Sequence, residues 1–294
     1  MTGRERITRT LRGEPTARLA RGEFFIADDF TRAFLSLDAG APITWEHSRA
    51  VVAQLDLDVA PVSFSEGWGA LDQPDLDRAL ERIARWRAEE TRFIFAVMDG
   101  PFSVAIRAHG FAETMHAIHS APELAREWFE RGAQDVQARA RAIRDTGADG
   151  IVLGEDIAYG RQTYVAPKQL RELYWQAVSW LVREMHNLGL VAFFHSDGNL
   201  NAVLDDLVAC GFEGLQGLEP DAGMDVNATH ARAGALTLWG NLSFDFLSAP
   251  RTEQEIRASV AKLRGDGSRL ILGSCGGLVA GMDLETVRRV HQNR

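Results

Sequence analysis

The chain has 294 residues, 46% of them apolar and 25% charged, with a formal net charge of −9. That length suits one α/β barrel of about 250 residues, with a core that needs no disulfide staples. The interspersed, acidic charge argues against a nucleic-acid binder, and no apolar run reaches the roughly 18 residues of a membrane span; the two cysteines, Cys210 and Cys275, make no disulfide framework and suit a reducing cytoplasm.

In chain order, Arg4–Gly13 reads as a short amphipathic helix, with Ile7 and Leu11 on one face and Gly13 as its stop. The same stretch lacks the continuous apolar segment of a secretion signal. Glu23–Ala27 is the first expected strand, Phe30–Leu37 and Trp45–Leu55 are helices, and Asp58–Val62 is the second strand. Ser63–Pro74 is a loop rich in glycine, serine and aromatic residues, and Asp75–Arg92 is a charged, solvent-facing helix. Phe93–Met98 is the third strand, closed by Gly100-Pro101. Two helical stretches follow, Ser103–Ile118 and Pro122–Thr146, the second with proline in its first turn. The fourth strand is Gly150–Gly154. Ala166–Leu188 is a long helix ending at Gly189, ahead of the fifth strand, Leu190–Phe194. Helix Asn199–Ala209, strand Gly214–Leu218, helix Gly223–Ala231 and strand Leu236–Gly240 come next. Thr252–Leu263 opens on a capping box of Thr252 and Glu255, and strand Leu270–Ser274 and helix Leu284–His291 finish the chain. Eight strands alternating with helices, without a linker, predict an α/β fold: a single (β/α)8 TIM barrel with an N-terminal helical extension, one domain over 1–294.

Six of these strands run into a polar residue capable of chemistry, and barrels build active sites at that end. They are Asp99 after the third strand, Glu155 and Asp156 after the fourth, His195 and Asp197 after the fifth, Glu219 after the sixth, Asn241 after the seventh and Cys275 after the eighth. His195 and Asp197 share a strand face at i and i+2, where imidazole and carboxylate bind a metal or form an acid–base pair. The bland alternative is a structural histidine and a helix-capping aspartate. A lone cysteine is more often a small buried hydrophobe, but Gly276 and Gly277 beside Cys275 leave a thiol uncovered. Thiolate, imidazole and carboxylate form a zinc set with one position open. Glu155 and Asp156 face opposite ways, so one of them enters the site while the other caps a helix or pairs with Arg161. Asp99 and Glu219 share that ambiguity, and Asn241 is an orienting donor. His109, His116 and His119 read as surface or packing residues, and Cys210 as helix-end core. No Walker loop, no GxGxxG after a strand and no GxSxG elbow occurs.

Several of these segments resemble a known family. They are Arg4-Glu5-Arg6-Ile7 with Leu11-Arg12-Gly13-Glu14-Pro15, Gly100-Pro101-Phe102, Gly154-Glu155-Asp156-Ile157, His195-Ser196-Asp197-Gly198-Asn199 with Leu204 and Leu207, Leu218-Glu219-Pro220 with Ala222-Gly223-Met224-Asp225, and Trp239-Gly240-Asn241-Leu242. All are similar to segments of the uroporphyrinogen decarboxylase superfamily, across nearly the whole chain. The resemblance implies a (β/α)8 barrel and one of two activities. One is metal-free decarboxylation in haem synthesis. The other is zinc-dependent methyl transfer between a corrinoid protein and a thiol or tetrahydrofolate. The decarboxylase branch carries a Gln-Ala-Gly-Arg motif near its N-terminus, and Arg18–Asp29 has none.

The methyltransferase branch uses a His-x-Cys pair after the fifth strand and a cysteine after the eighth. His195 and Cys275 match, and Asp197 stands in place of the first cysteine. The resemblance therefore implies zinc on His195, Asp197 and Cys275. It also implies a corrinoid carried by a partner protein, because this chain shows no cobalamin-binding domain, and a small-molecule methyl donor or acceptor. Asp99, Glu155, Glu219 and Asn241 are the catalytic candidates, and Arg161 and Asp156 the substrate-binding ones. The expected location is cytoplasmic, and a homodimer is the candidate assembly. The alternative is a metal-independent decarboxylase or lyase on a small carboxylate other than uroporphyrinogen, with Arg161 or Arg107 as anion clamp.

Overall fold

The computed structural model describes residues 1–64, 75–89, 91–264 and 269–292. Most of the loop expected over Ser63–Pro74 lies outside them. Eight parallel strands form one sheet: β1 (Ala20–Arg21), β2 (Val59–Ser63), β3 (Phe93–Asp99), β4 (Gly150–Gly154), β5 (Val191–Ser196), β6 (Gly214–Gly217), β7 (Thr237–Leu242) and β8 (Leu270–Ser274). Their order, β1-β8-β7-β6-β5-β4-β3-β2, is that of a (β/α)8 barrel opened only between β1 and β2. Asp58 bridges that seam. Its N–H donates to the Arg21 carbonyl at 2.8 Å, and its Oδ2 accepts the Arg21 N–H at 2.9 Å. Arg6 and Arg18 both pair with its buried carboxylate.

Below the mouth, the interior is filled by Phe95, Phe193 and Trp239, whose ring centroids lie 5.0–6.0 Å apart. Aromatic rings at such separations add attraction to their burial. Ile7 packs with the same cluster from the N-terminal helix, Gly3–Leu11, so the expected helical extension plugs the bottom of the barrel. Among the described residues, no helix is long and apolar enough to cross a membrane.

Several boundaries differ from expectation. The first strand is Ala20–Arg21, not Glu23–Ala27; the Gly22 N–H still donates to the Leu272 carbonyl at 3.0 Å, and Glu23 beyond it turns to Ser274 and His291. The later segment pairs instead through an isolated parallel bridge, Ile26 to Leu278, beyond the end of β8. The stretch Ser103–Ile118 is two helices, Pro101–His109 and Phe111–Ser120, parted at Gly110 with φ +87°. Ala166–Leu188 is also two, Pro167–Leu173 and Trp175–Asn187, stepping at Tyr174. Asn199–Ala209 begins as a 3-10 turn, Asn201–Val203, before helix Leu204–Cys210. Gly223–Ala231 becomes Val226–Arg232, capped by the Asp225 carboxylate. The capping box of Thr252 and Glu255 is present at helix Glu253–Arg264.

Candidate metal centre

Alternation along the strands decides which side chains reach the mouth. On β5, Phe193 points into the aromatic plug, so His195, two residues on, points inward one layer higher. The imidazole is buried and stacked on Phe24, with centroids 4.0 Å apart and planes 24° off parallel. Its Nε2 lies 3.4 Å from Asp156 Oδ1. The same Oδ1 accepts the Asp197 N–H at 3.0 Å, which ties the turn after β4 to the turn after β5. Asp156 has φ +39°, a left-handed backbone unusual for a residue other than glycine. Such strain collects at functional sites, where surrounding structure holds it in place.

Ligand atoms of Asp156, His195 and Asp197 all lie within 4.8 Å of one another. Two buried atoms here, His195 Nδ1 and Asp197 Oδ1, have no hydrogen-bond partner among the described residues. Buried polar atoms are seldom left unmatched, and the free Asp197 oxygen at the cluster is the one that asks for a ligand. Imidazole nitrogen and carboxylate oxygen are both suitable for zinc, and this donor set fits a divalent metal. Burial raises Asp197 to a pKa of about 6, against the pull of His195 and with the help of Asp156 and Glu219. A bound cation removes that penalty by holding the carboxylate ionised.

The other sequence candidates fall into different places. Glu155 turns away from the cluster and is fully buried. Its Oε2 accepts the backbone N–H groups of Phe102 and Ser103 at 2.9 and 3.0 Å, at the start of helix Pro101–His109, and its Oε1 meets the Tyr174 hydroxyl. Burial pushes its carboxyl up to about 8 in spite of those donors. Glu219 accepts the Gly198 N–H at 2.9 Å and shapes the turn beyond Asp197. Asn241, at φ +76°, donates from its amide to the carbonyls of Leu218 at 2.6 Å and Met224 at 3.3 Å. Asp99 pairs with Arg107 at 2.6 Å, which engages one of the two expected anion clamps. Arg161, the other, is exposed on the turn of a short hairpin closed by the bridge of Ala158 to Thr163. Cys210 is buried behind the sheet against Ser179, as expected of core.

Cys275 sits at the mouth end of β8 but outside the group of three. Burial drives its thiol well above the ordinary range, and the Glu219 and Asp197 charges push the same way. Its carbonyl accepts the Gln216 amide at 2.8 Å, and the Ser274 carbonyl accepts the same amide at 3.0 Å. Gln216 itself was not among the expected residues. It is in register with His195 on the neighbouring strand, and its buried Oε1 lacks a partner among the described residues. A lone amide inside the apolar run Gly214-Leu215-Gln216-Gly217 was the available signal. Glu23 was likewise missed. Fully buried, it accepts from the Ser274 N–H and hydroxyl and lies 2.7 Å from His291 Nε2 of helix Leu284–Gln292.

Comparison with known proteins agrees with this barrel. The chain is 26% identical over 195 residues to the methylcobamide:CoM methyltransferase MtaA of Methanosarcina barkeri (strain Fusaro / DSM 804), covering 66% of this chain and 56% of that protein. It thus spans little more than half the length of that relative. A solved methyltransferase structure from Methanosarcina mazei superposes with a TM-score of 0.80 at 20% identity, over 99% of this chain and 97% of that one. The 3-keto-D-glucoside 4-epimerase YcjR of E. coli shares the barrel more loosely, with a TM-score of 0.54 at 12% identity over 92% of this chain and 95% of that one. The sequence model of uroporphyrinogen decarboxylase (URO-D) matches residues 62–293, from β2 to the last helix, and the chain belongs to that family.

Proposed function

We propose that this chain is a zinc-dependent methyltransferase that moves a methyl group between a corrinoid carried on a partner protein and a small-molecule acceptor, a thiol or tetrahydrofolate. The observation that carries the reading is the cluster of Asp156, His195 and Asp197 at the mouth of the barrel, with a buried Asp197 oxygen that no described residue satisfies. Likeness to a methylcobamide:CoM methyltransferase supports the same chemistry. His195 and Asp197 are the residues proposed to hold zinc. When bound, zinc lowers the pKa of a ligated acceptor and makes it a nucleophile at neutral pH.

The chain's own residues prepare that site. Phe24 fixes the imidazole plane by stacking. Glu219 holds the Gly198 N–H, and Asn241 ties the turns after β6 and β7 together. Glu155 anchors the backbone ahead of Asp156 to helix Pro101–His109. In this reading Glu155, Glu219 and Asn241 act by positioning, Asp99 sets the place of Arg107, and Arg161 offers its exposed charge to what approaches the rim.

The test is demethylation of methylcobalamin, followed by its visible spectrum, with zinc-loaded protein and either 2-mercaptoethanesulfonate or tetrahydrofolate as acceptor. Zinc-dependent loss of the methylcobalamin spectrum with one acceptor is expected, and His195→Ala should lower the rate at least about a hundredfold. No turnover with either acceptor rejects the reading and favours the metal-free lyase.

A further inference from the structure

We infer that Asp156, not Cys275, is the third protein ligand, so that the centre holds its metal with one imidazole and two carboxylates. The inference rests on the metal site proposed above and departs from its expected thiolate. Three observations carry it. First, two atoms each about 2.1 Å from a tetrahedral ion stand about 3.4 Å apart. His195 Nε2 and Asp156 Oδ1 stand at 3.4 Å, too far for a strong hydrogen bond and at the spacing of two ligands of one ion. Second, the left-handed backbone at Asp156 turns its carboxylate inward while Glu155 turns away to its helix end. That angle, φ +39°, is what brings the Asp156 carboxylate beside His195 and Asp197. Third, the Asp197 N–H donates to the same Asp156 oxygen, which sets the two carboxylates side by side, with Asp197 Oδ1 left free.

Cys275 has a different role in this arrangement. Its N–H and C=O are both engaged, by Leu242 and Gln216, which locks the end of β8. Its thiol borders the centre without joining the three close ligand atoms. The two carboxylates are hard oxygen donors, so the site is built for zinc or cobalt without a soft sulfur ligand.

The experiment uses the whole chain, stripped with chelator and titrated with Zn²⁺ in competition with a chromophoric chelator. Co²⁺ is then added to the wild-type protein and its near-ultraviolet spectrum recorded. Asp156→Asn, which keeps the side-chain shape, should weaken Zn²⁺ at least about tenfold. Cys275→Ser should bind Zn²⁺ within about threefold of wild type, and the Co²⁺ protein should show no thiolate-to-cobalt charge-transfer band. The inference is overturned by that band in the wild type, by wild-type affinity in Asp156→Asn, or by failure of the wild type to bind stoichiometric metal. The cobalt spectrum needs no variant, so a misfolded mutant does not blunt the test. Methyl transfer with a thiolate-bound metal would overturn this inference while leaving the proposed function standing. Metal bound as inferred but without turnover would do the reverse.

Discussion

At the scale of single residues, the clearest lesson is the divergence of Glu155 and Asp156. Alternation says that neighbours face opposite ways, and they do. It does not say which enters the mouth. That is settled by the unsatisfied N–H groups of Phe102 and Ser103 at a helix start, which draw Glu155 outward. The consequence for stability can be signed. Folded, Glu155 keeps its proton up to about pH 8; its ordinary value is 4.5. The unfolded chain therefore releases this proton first as pH rises. The contribution of Glu155 is complete below about pH 4.5, falls between there and about pH 8, and then levels, a total on the order of 5 kcal/mol. In metal-free protein, Glu155→Gln should flatten the fall in stability between about pH 4.5 and 8. Urea unfolding at several pH values measures it, and an unchanged slope would refute the assignment.

At the scale of elements, the mouth is shaped by strands that end in left-handed turns. Gly217 and Gly240 have φ +116° and +128°, and Leu218 and Asn241 follow with φ +64° and +76°. A Cβ on Gly240 would collide with the Gly217 carbonyl, whereas one on Gly40 would meet nothing within 4 Å. Gly240→Ala should thus cost roughly 1–3 kcal/mol and lower the melting temperature by several degrees, while Gly40→Ala stays near wild type. Equal melts would show that the turns are not rigid.

Such turns also mark how far the sequence could be read. The eight strands and their polar ends were legible because short apolar runs punctuated by glycine and spaced by helix-length segments fit parallel barrel strands and little else. The break at Gly110 was missed although a glycine marks it, whereas the step at Tyr174 has no glycine or proline to announce it; there the side chain reaches Glu155. The first strand was misplaced because Glu23 looks like a boundary residue, whereas Ser274 and His291 make it a buried one. His195 and Asp197 were found from their i, i+2 spacing. That Asp156 joins them depends on one backbone angle, which composition and spacing do not encode.

At the scale of the molecule, the seam of the barrel is bridged chiefly by Asp58, with Asp56 pairing beside it with Arg18 and Arg21. Asp58 supplies both backbone and side-chain bonds across the seam and neutralises Arg6 and Arg18. Removing one partner of a buried charge group leaves the others uncompensated. Asp58→Ala should lose roughly 3–5 kcal/mol of stability. Denaturant unfolding checks this, and a loss below about 1 kcal/mol would show that the helices, not the seam, hold β1 to β2.

The bond between His291 and Glu23 carries a further meaning for how this barrel tolerates genetic change. It joins two residues 268 positions apart, one of them in the last helix and the other next in sequence to Phe24, which stacks on the imidazole of the metal centre. Losing the His291 imidazole would remove only one small ring from the barrel. It would nevertheless leave the buried Glu23 carboxylate beneath the end of β8 with only the Ser274 N–H and hydroxyl as hydrogen-bond donors among the described residues. The surroundings of Glu23 therefore cannot be completed until residue 291 has been synthesised. Nascent chains held short of that residue would carry an unfinished pocket beside Phe24, and variants that lose His291 should disturb the mouth from a distance.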